Sequence, residues 1–139
     1  MMRRLLPVSL IALAGLAFAG CATVGGGESS QQVSFKDDIK PLLESRCMEC
    51  HNSTYVAQFG GVNMETRENA MRGGYTGAII VPGKPRESKL YQVLKKGIEM
   101  PNAMPPTPHK LTPEECDMVK DWIAQGAEWP AGETLRFRH

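Results

Sequence analysis

The sequence predicts an all-α fold of three or four short helices joined by long loops. Two observations carry this. The apolar stretches repeat at helical spacing and are bracketed by capping and stopping residues, while the segments between them are rich in glycine and proline and have no period. Ordered loops of that length need something to wrap around. At 139 residues, with 42% hydrophobic and 22% charged residues, there is room for one domain with a modest core.

The opening, "MMRRLLPVSLIALAGLAFAGC", reads as an export signal spanning 1–20. Arg3 and Arg4 form a positive start, and the apolar run ends in small residues, too short for a membrane span. "AFA" fits cleavage before Gly20, whereas "FAGC" resembles a bacterial lipobox with Cys21 as the lipidated residue. The second reading is preferred, and it implies a membrane anchor of several acyl chains. Residues 21–33, small and polar with three consecutive glycines, read as a flexible tether.

The folded part is expected over 34–131, followed by a tail over 132–139. "SFKDDIKPLLESRC" places Phe35, Ile39, Leu42 and Leu43 on one helical face, with Ser34 and Asp37 in a capping-box pattern. Pro41 either kinks this helix or lies in the first turn of its regular part. "FGGVNMETRENAMRGG" has paired glycines at both ends and a helix capped by Thr66 and stopped by Gly73. "GAIIVPGKP" is irregular. "SKLYQVLKKG" offers Ser88 as cap, Leu90, Val93 and Leu94 as the buried face, lysines in the last turn and Gly97 as stop. "IEMPNAMPPTPHK" is a proline-stiffened loop. "LTPEECDMVKDWIAQG" is the clearest helix, with Thr112 as cap, Pro113 at the first position, Glu115 closing a capping box and Gly126 as terminator. Val119, Trp122 and Ile123 form its buried face.

The chemistry concentrates in "CMECH", residues 47 to 51. Thiols at i and i+3 of a helical turn project to one side, and the next residue is an imidazole. That arrangement suits covalent haem attachment through Cys47 and Cys50 with His51 on the iron. A zinc site needs two further ligands, for which Cys116, His109 and His139 are what remains. A redox dithiol is expected after a strand in a βαβ pattern, which is missing here. A disulfide over so short a loop is a further alternative. For the other side of the iron, Met104 in "AMPP" is the first candidate, with Met100 the alternate and His109 a third. Met48, Met64, Met71 and Met118 read as packing residues.

"CMECH" after "DIKPLL", then "GGVNMETRENAMRGG", "AIIVPGKPRESKL", "MPP" and "LTPEECDMVKDWIAQGAEWP" together resemble class I c-type cytochromes, and more narrowly the Planctomycete-type cytochrome c domain. The resemblance covers residues 34 to 131. It implies a small cytochrome c fold around one covalently bound haem c, thioethers at Cys47 and Cys50, His51 as proximal ligand and Met104 as distal ligand. Cys116 stands where the family pattern has an aliphatic residue and is read as a small core residue of the last helix.

With both axial positions filled, one-electron transfer is the expected activity, so the protein is read as an electron carrier rather than an enzyme. The alternative is a haem-based ligand sensor or peroxidase-like protein with an open or displaceable distal position. Removing Arg3 and Arg4 from the 16 basic residues leaves 14 against 15 acidic ones, a charge of −1, which argues against a nucleic-acid partner. Between Lys84 and Lys110, six basic residues face two acidic ones. They read either as a docking surface for an acidic redox protein or as lysines complementing a helix end. The expected setting is the periplasmic side of a bacterial membrane or the cell surface, as a lipid-anchored monomer.

Overall fold

The computed structural model describes residues 31–97, 100–106 and 110–138. The expected signal segment, Cys21 with most of its tether, His109 and His139 lie outside the described residues. Among those described there are four α-helices and no β-strand: α1 (Lys40–Arg46), α2 (Arg67–Arg72), α3 (Lys89–Leu94) and α4 (Pro113–Ala124). None is long and apolar enough to cross a membrane.

A wide π turn, Phe35–Ile39, runs directly into α1. Its bonds skip five residues, from Ile39 N–H to Ser34 O (3.2 Å) and from Lys40 N–H to Phe35 O. Pro41 explains the loosened winding, since it has no N–H to donate and its ring would press on the carbonyl four residues back. The cap at Ser34 also differs from the sequence pattern. The Ser34 hydroxyl oxygen accepts from Asp37 N–H, but the carboxylate that returns the bond to Ser34 N–H is Asp38 (2.8 Å). The wide turn brings Asp38 round one residue later.

α4 forms as its sequence demands. Thr112 and Glu115 exchange both bonds of a capping box, and Pro113 occupies the first turn, where no N–H is required of it. Val119, Trp122 and Ile123 are buried and pack on the opening turn, and α4 also meets α3. Phe35 lies 6.1 Å from the Trp122 ring and 4.3 Å from Trp129. Both indole N–H groups are satisfied while buried, by the carbonyls of Glu128 and Glu133.

α3 is shorter than its sequence suggests. It ends at Leu94, so Lys95 and Lys96 follow the helix instead of filling its last turn. Ser88 precedes it but does not cap it with its side chain. That hydroxyl, fully buried, accepts from Val81 N–H (2.9 Å) and donates to the Lys84 carbonyl (3.0 Å), because the preceding 3-10 turn at Pro85–Glu87 brings those groups closer than the helix's own donors.

Both ends of the folded region extend beyond their expected limits. Val33, assigned to the tether, packs against the core and donates its N–H to Gln125 Oε1 (2.8 Å). The stretch set off as a tail, 132–139, belongs to the packed unit as far as Arg138. Leu135 is 1% exposed and donates its N–H to Glu65 O, the Arg136 N–H reaches Glu44 Oε1, and the Arg138 guanidinium pairs with the buried Glu44 carboxylate. These contacts join residues 70 or more positions apart, which local pattern cannot show.

The paired glycines meet each other. A Cβ on Gly74 would fall 2.3 Å from the Gly60 carbonyl oxygen, and the Tyr75 N–H donates to that oxygen at 2.8 Å. Only glycine allows this approach. It draws the loop that follows His51 against the loop that follows α2.

Candidate functional site

α1 is followed at once by Cys47, its C-cap, and the winding continues for one more turn. Cys47 N–H reaches Leu43 O at 2.9 Å, and His51 N–H reaches Cys47 O at 2.9 Å. The turn sends Cys47, Cys50 and His51 to one cavity while Met48, with no exposed surface, enters the core. Asn52 closes the turn: its amide donates to Met48 O (2.8 Å) and its oxygen accepts from Thr54 N–H (2.9 Å). Met64 N–H then bonds to His51 O at 2.9 Å, bringing the chain back across the motif.

The cavity has a volume of about 640 Å³, within the range of small-molecule and cofactor sites. One side is built by the motif with Phe59, Gly60, Val62 and Met64, and another by Leu90, Val93 and Leu94 of α3. Val93, expected among the buried face of its helix, is half-buried and belongs to this wall. Met104 lines the same cavity. Its N–H donates to Val93 O (3.2 Å), and Lys96 Nζ donates to Pro101 O (3.2 Å), so the end of α3 holds the methionine loop from two points. The Val93 carbonyl also accepts from Lys96 N–H (3.3 Å), so it is shared between the end of α3 and the methionine loop. Met100 is 54% exposed and does not line the cavity.

Burial disfavours the charged forms of the site's groups. The Cys47 thiol is pushed up to about 12, chiefly by desolvation and further by Cys50, with Arg46 acting the other way. Cys50 is raised by burial and by Glu49. The His51 pKa is lowered by burial, which favours the neutral imidazole that binds metals. A backbone contact from Val62 opposes that shift; raising a histidine's pKa takes an acceptor, which on a backbone is the carbonyl. Nδ1 is nonetheless buried without a hydrogen bond of good geometry. Phe59 meets the imidazole edge-on, with centroids 6.1 Å apart.

These properties bear on the alternatives. A redox dithiol is activated by a lowered thiol pKa, and here both are raised. Among the described residues, no cluster of three histidine, cysteine or acidic side chains is placed to hold a metal ion such as zinc. Cys116 is half-buried against the core with its sulfur 3.9 Å from Leu94 O, as a packing residue of α4 would be. Haem suits the residues present: an apolar cavity of adequate size collects two thiols, a neutral imidazole and a thioether. Phe59, Tyr75, Asn52 and Arg46 belong to the site or its support and were not singled out from sequence. Of these only Arg46 had a local signal, its position directly before Cys47 in a helix.

A small helical domain thus gathers these four side chains around one cavity. Residues 47–108 match the family model of Planctomycete cytochrome C, a span that begins at the first cysteine of the motif and includes Met104. Over that span the chain is similar to a cytochrome c domain. No curated protein and no solved structure matches the chain.

Proposed function

We propose that this protein is a monohaem c-type cytochrome that carries single electrons outside the cytoplasm. One haem c is bound through Cys47 and Cys50, with His51 as proximal and Met104 as distal ligand. The observation that supports this most directly is that all four side chains line one cavity, whereas Met100 does not. Haem, when bound, supplies an iron that alternates between two oxidation states.

The chain's own residues do the rest. His51 offers a neutral nitrogen, oriented by the turn that bonds its N–H to Cys47 and its carbonyl to Met64. Met104 offers a soft thioether, which favours the reduced iron, and its anchorage to Val93 keeps it at the cavity. Leu90, Val93, Leu94 and Val62 exclude water. Cys21 anchors the protein by acyl chains to a bacterial membrane, on the periplasmic side or at the cell surface, and the protein works as a monomer. Arg46, Lys89 and Lys96 line the cavity, and no acidic side chain does so among the described residues. This supports an acidic redox protein as partner.

The test is the absorption spectrum of protein produced with haem-attachment machinery, oxidised and then reduced. A covalently bound low-spin haem with the weak sulfur-to-iron band is expected, lost in Met104→Ala and kept in Met100→Ala. A high-spin spectrum, or ready binding of carbon monoxide by the reduced parent, would instead indicate a sensor or peroxidase-like protein.

A further inference from the structure

Arg46 ends α1, lines the cavity and directly precedes Cys47. Its Nε is buried without a hydrogen-bond partner. Its terminal nitrogen lies 3.6 Å from Glu115 Oε1, an ion pair longer than a hydrogen bond. Glu115 is itself held, because its other oxygen accepts from Thr112 N–H at 2.8 Å in the capping box of α4. The two other cations of the lining are occupied differently: Lys89 donates to Thr76 O and Lys96 to Pro101 O. Arg46 is thus a guanidinium on the cavity wall with an unused buried donor and one incomplete counter-charge, and its field already reaches the Cys47 thiol. A buried polar atom left unpaired carries a cost that asks for an explanation.

We propose that Arg46 is the positioning charge that raises the reduction potential of the haem site, with Glu115 as its partial offset. The inference rests on the haem reading above. A haem held here would supply a ferric iron that accepts one electron from a one-electron donor. Such a transfer would form and break no bond, and the charge of the centre would fall by one. A fixed cation on the wall favours the less positive, reduced state, and the partly dry surroundings screen it less than bulk water would. Removing the cation therefore lowers the potential, and removing its counter-charge raises it.

The experiment is a mediated redox titration of the haem-loaded protein and its variants Arg46→Gln, Arg46→Lys and Glu115→Gln. Glutamine at 115 keeps the capping box, since either residue serves at that position, so that variant changes charge with little effect on folding. At the parent's midpoint the reduced-to-oxidised ratio is expected to fall about threefold in Arg46→Gln, equivalent to about 30 mV for one electron. It should rise in Glu115→Gln and stay near the parent in Arg46→Lys. A purely structural role for Arg46 would move the melting temperature without these opposite signs. Should Arg46→Gln fail to hold haem, the sign in Glu115→Gln decides alone. Potentials unchanged or shifted the same way in both charge-removing variants, with the low-spin spectrum intact, overturn this inference and leave the haem reading standing. A parent protein that binds no haem overturns both.

Discussion

Replacing Gly74 with alanine tests whether the contact between the paired glycines shapes the cavity wall. The added Cβ falls 2.3 Å from the Gly60 carbonyl oxygen and 2.7 Å from Val62 Cγ2. Carbon and oxygen come to rest at about 3.3 Å or more, so the two loops must part by about 1 Å. The 2.8 Å bond from Tyr75 N–H to Gly60 O is then lost, at about 1 kcal/mol. Overpacking adds about 1–3 kcal/mol. The combined loss of about 2–4 kcal/mol lowers the melting temperature by roughly 8–16 °C for a domain of this size. Because Gly60 and Val62 line the cavity and Phe59 touches His51, the haem spectrum should change with it. The assay is thermal unfolding of the haem-loaded protein by circular dichroism, with the absorption spectrum recorded alongside. Gly83→Ala is the comparison: no atom lies within 4 Å of its Cβ, so it pays only for its positive φ, about 1–2 kcal/mol. If Gly74→Ala melts within about 2 °C of the parent, the steric argument is wrong.

Further variants test the rest of the packing. Leu135→Ala, within the stretch expected to be a tail, should cost about 2–5 kcal/mol in denaturant unfolding, because Leu135 is almost fully buried. Arg136→Ala should cost little, since its bond to Glu44 comes from the backbone; equal effects from the two would show that the segment is not packed as described. Glu133 accepts from Lys40 (2.6 Å) and pairs with Lys36 (3.2 Å), which lowers its pKa. A carboxyl whose folded pKa is depressed contributes stability above its ordinary value and loses it as pH falls through the folded one. Glu133→Gln should therefore flatten the acid side of the stability profile measured between neutral pH and the carboxylate range. An unchanged acid slope would remove Glu133 from that dependence.

How much of this was legible depended on distance along the chain. α4 was readable almost to the residue because Thr112, Pro113 and Glu115 act on one another within a single turn. The common direction of Cys47, Cys50 and His51 was readable for the same reason, since two consecutive backbone turns set it. The π turn before Pro41 was half legible: proline announced a disturbance, but the shift of the cap from Asp37 to Asp38 depended on how far the winding opened. Ser88 misled because its sequence context resembles a cap, while the Val81 and Lys84 backbone groups that claim its hydroxyl are placed by a separate turn.

The sequence by itself determined the helical class and showed the Cys-x-x-Cys-His motif and the two Met-Pro pairs, because each is written in residues a few positions apart. Tertiary structure alone decided that Met104 lines the cavity and Met100 does not. Both precede proline, and what separates them is the bond from Met104 N–H to Val93 O. It also decided that Leu135 and Trp129 belong to the core and that Arg46 faces Glu115, contacts across 69 residues or more in the cases of Glu115 and of Leu135 with its Glu65 partner. The physical reason is the same throughout: local backbone chemistry selects turns and caps, whereas burial and charge pairing depend on which distant segments the closed chain brings together.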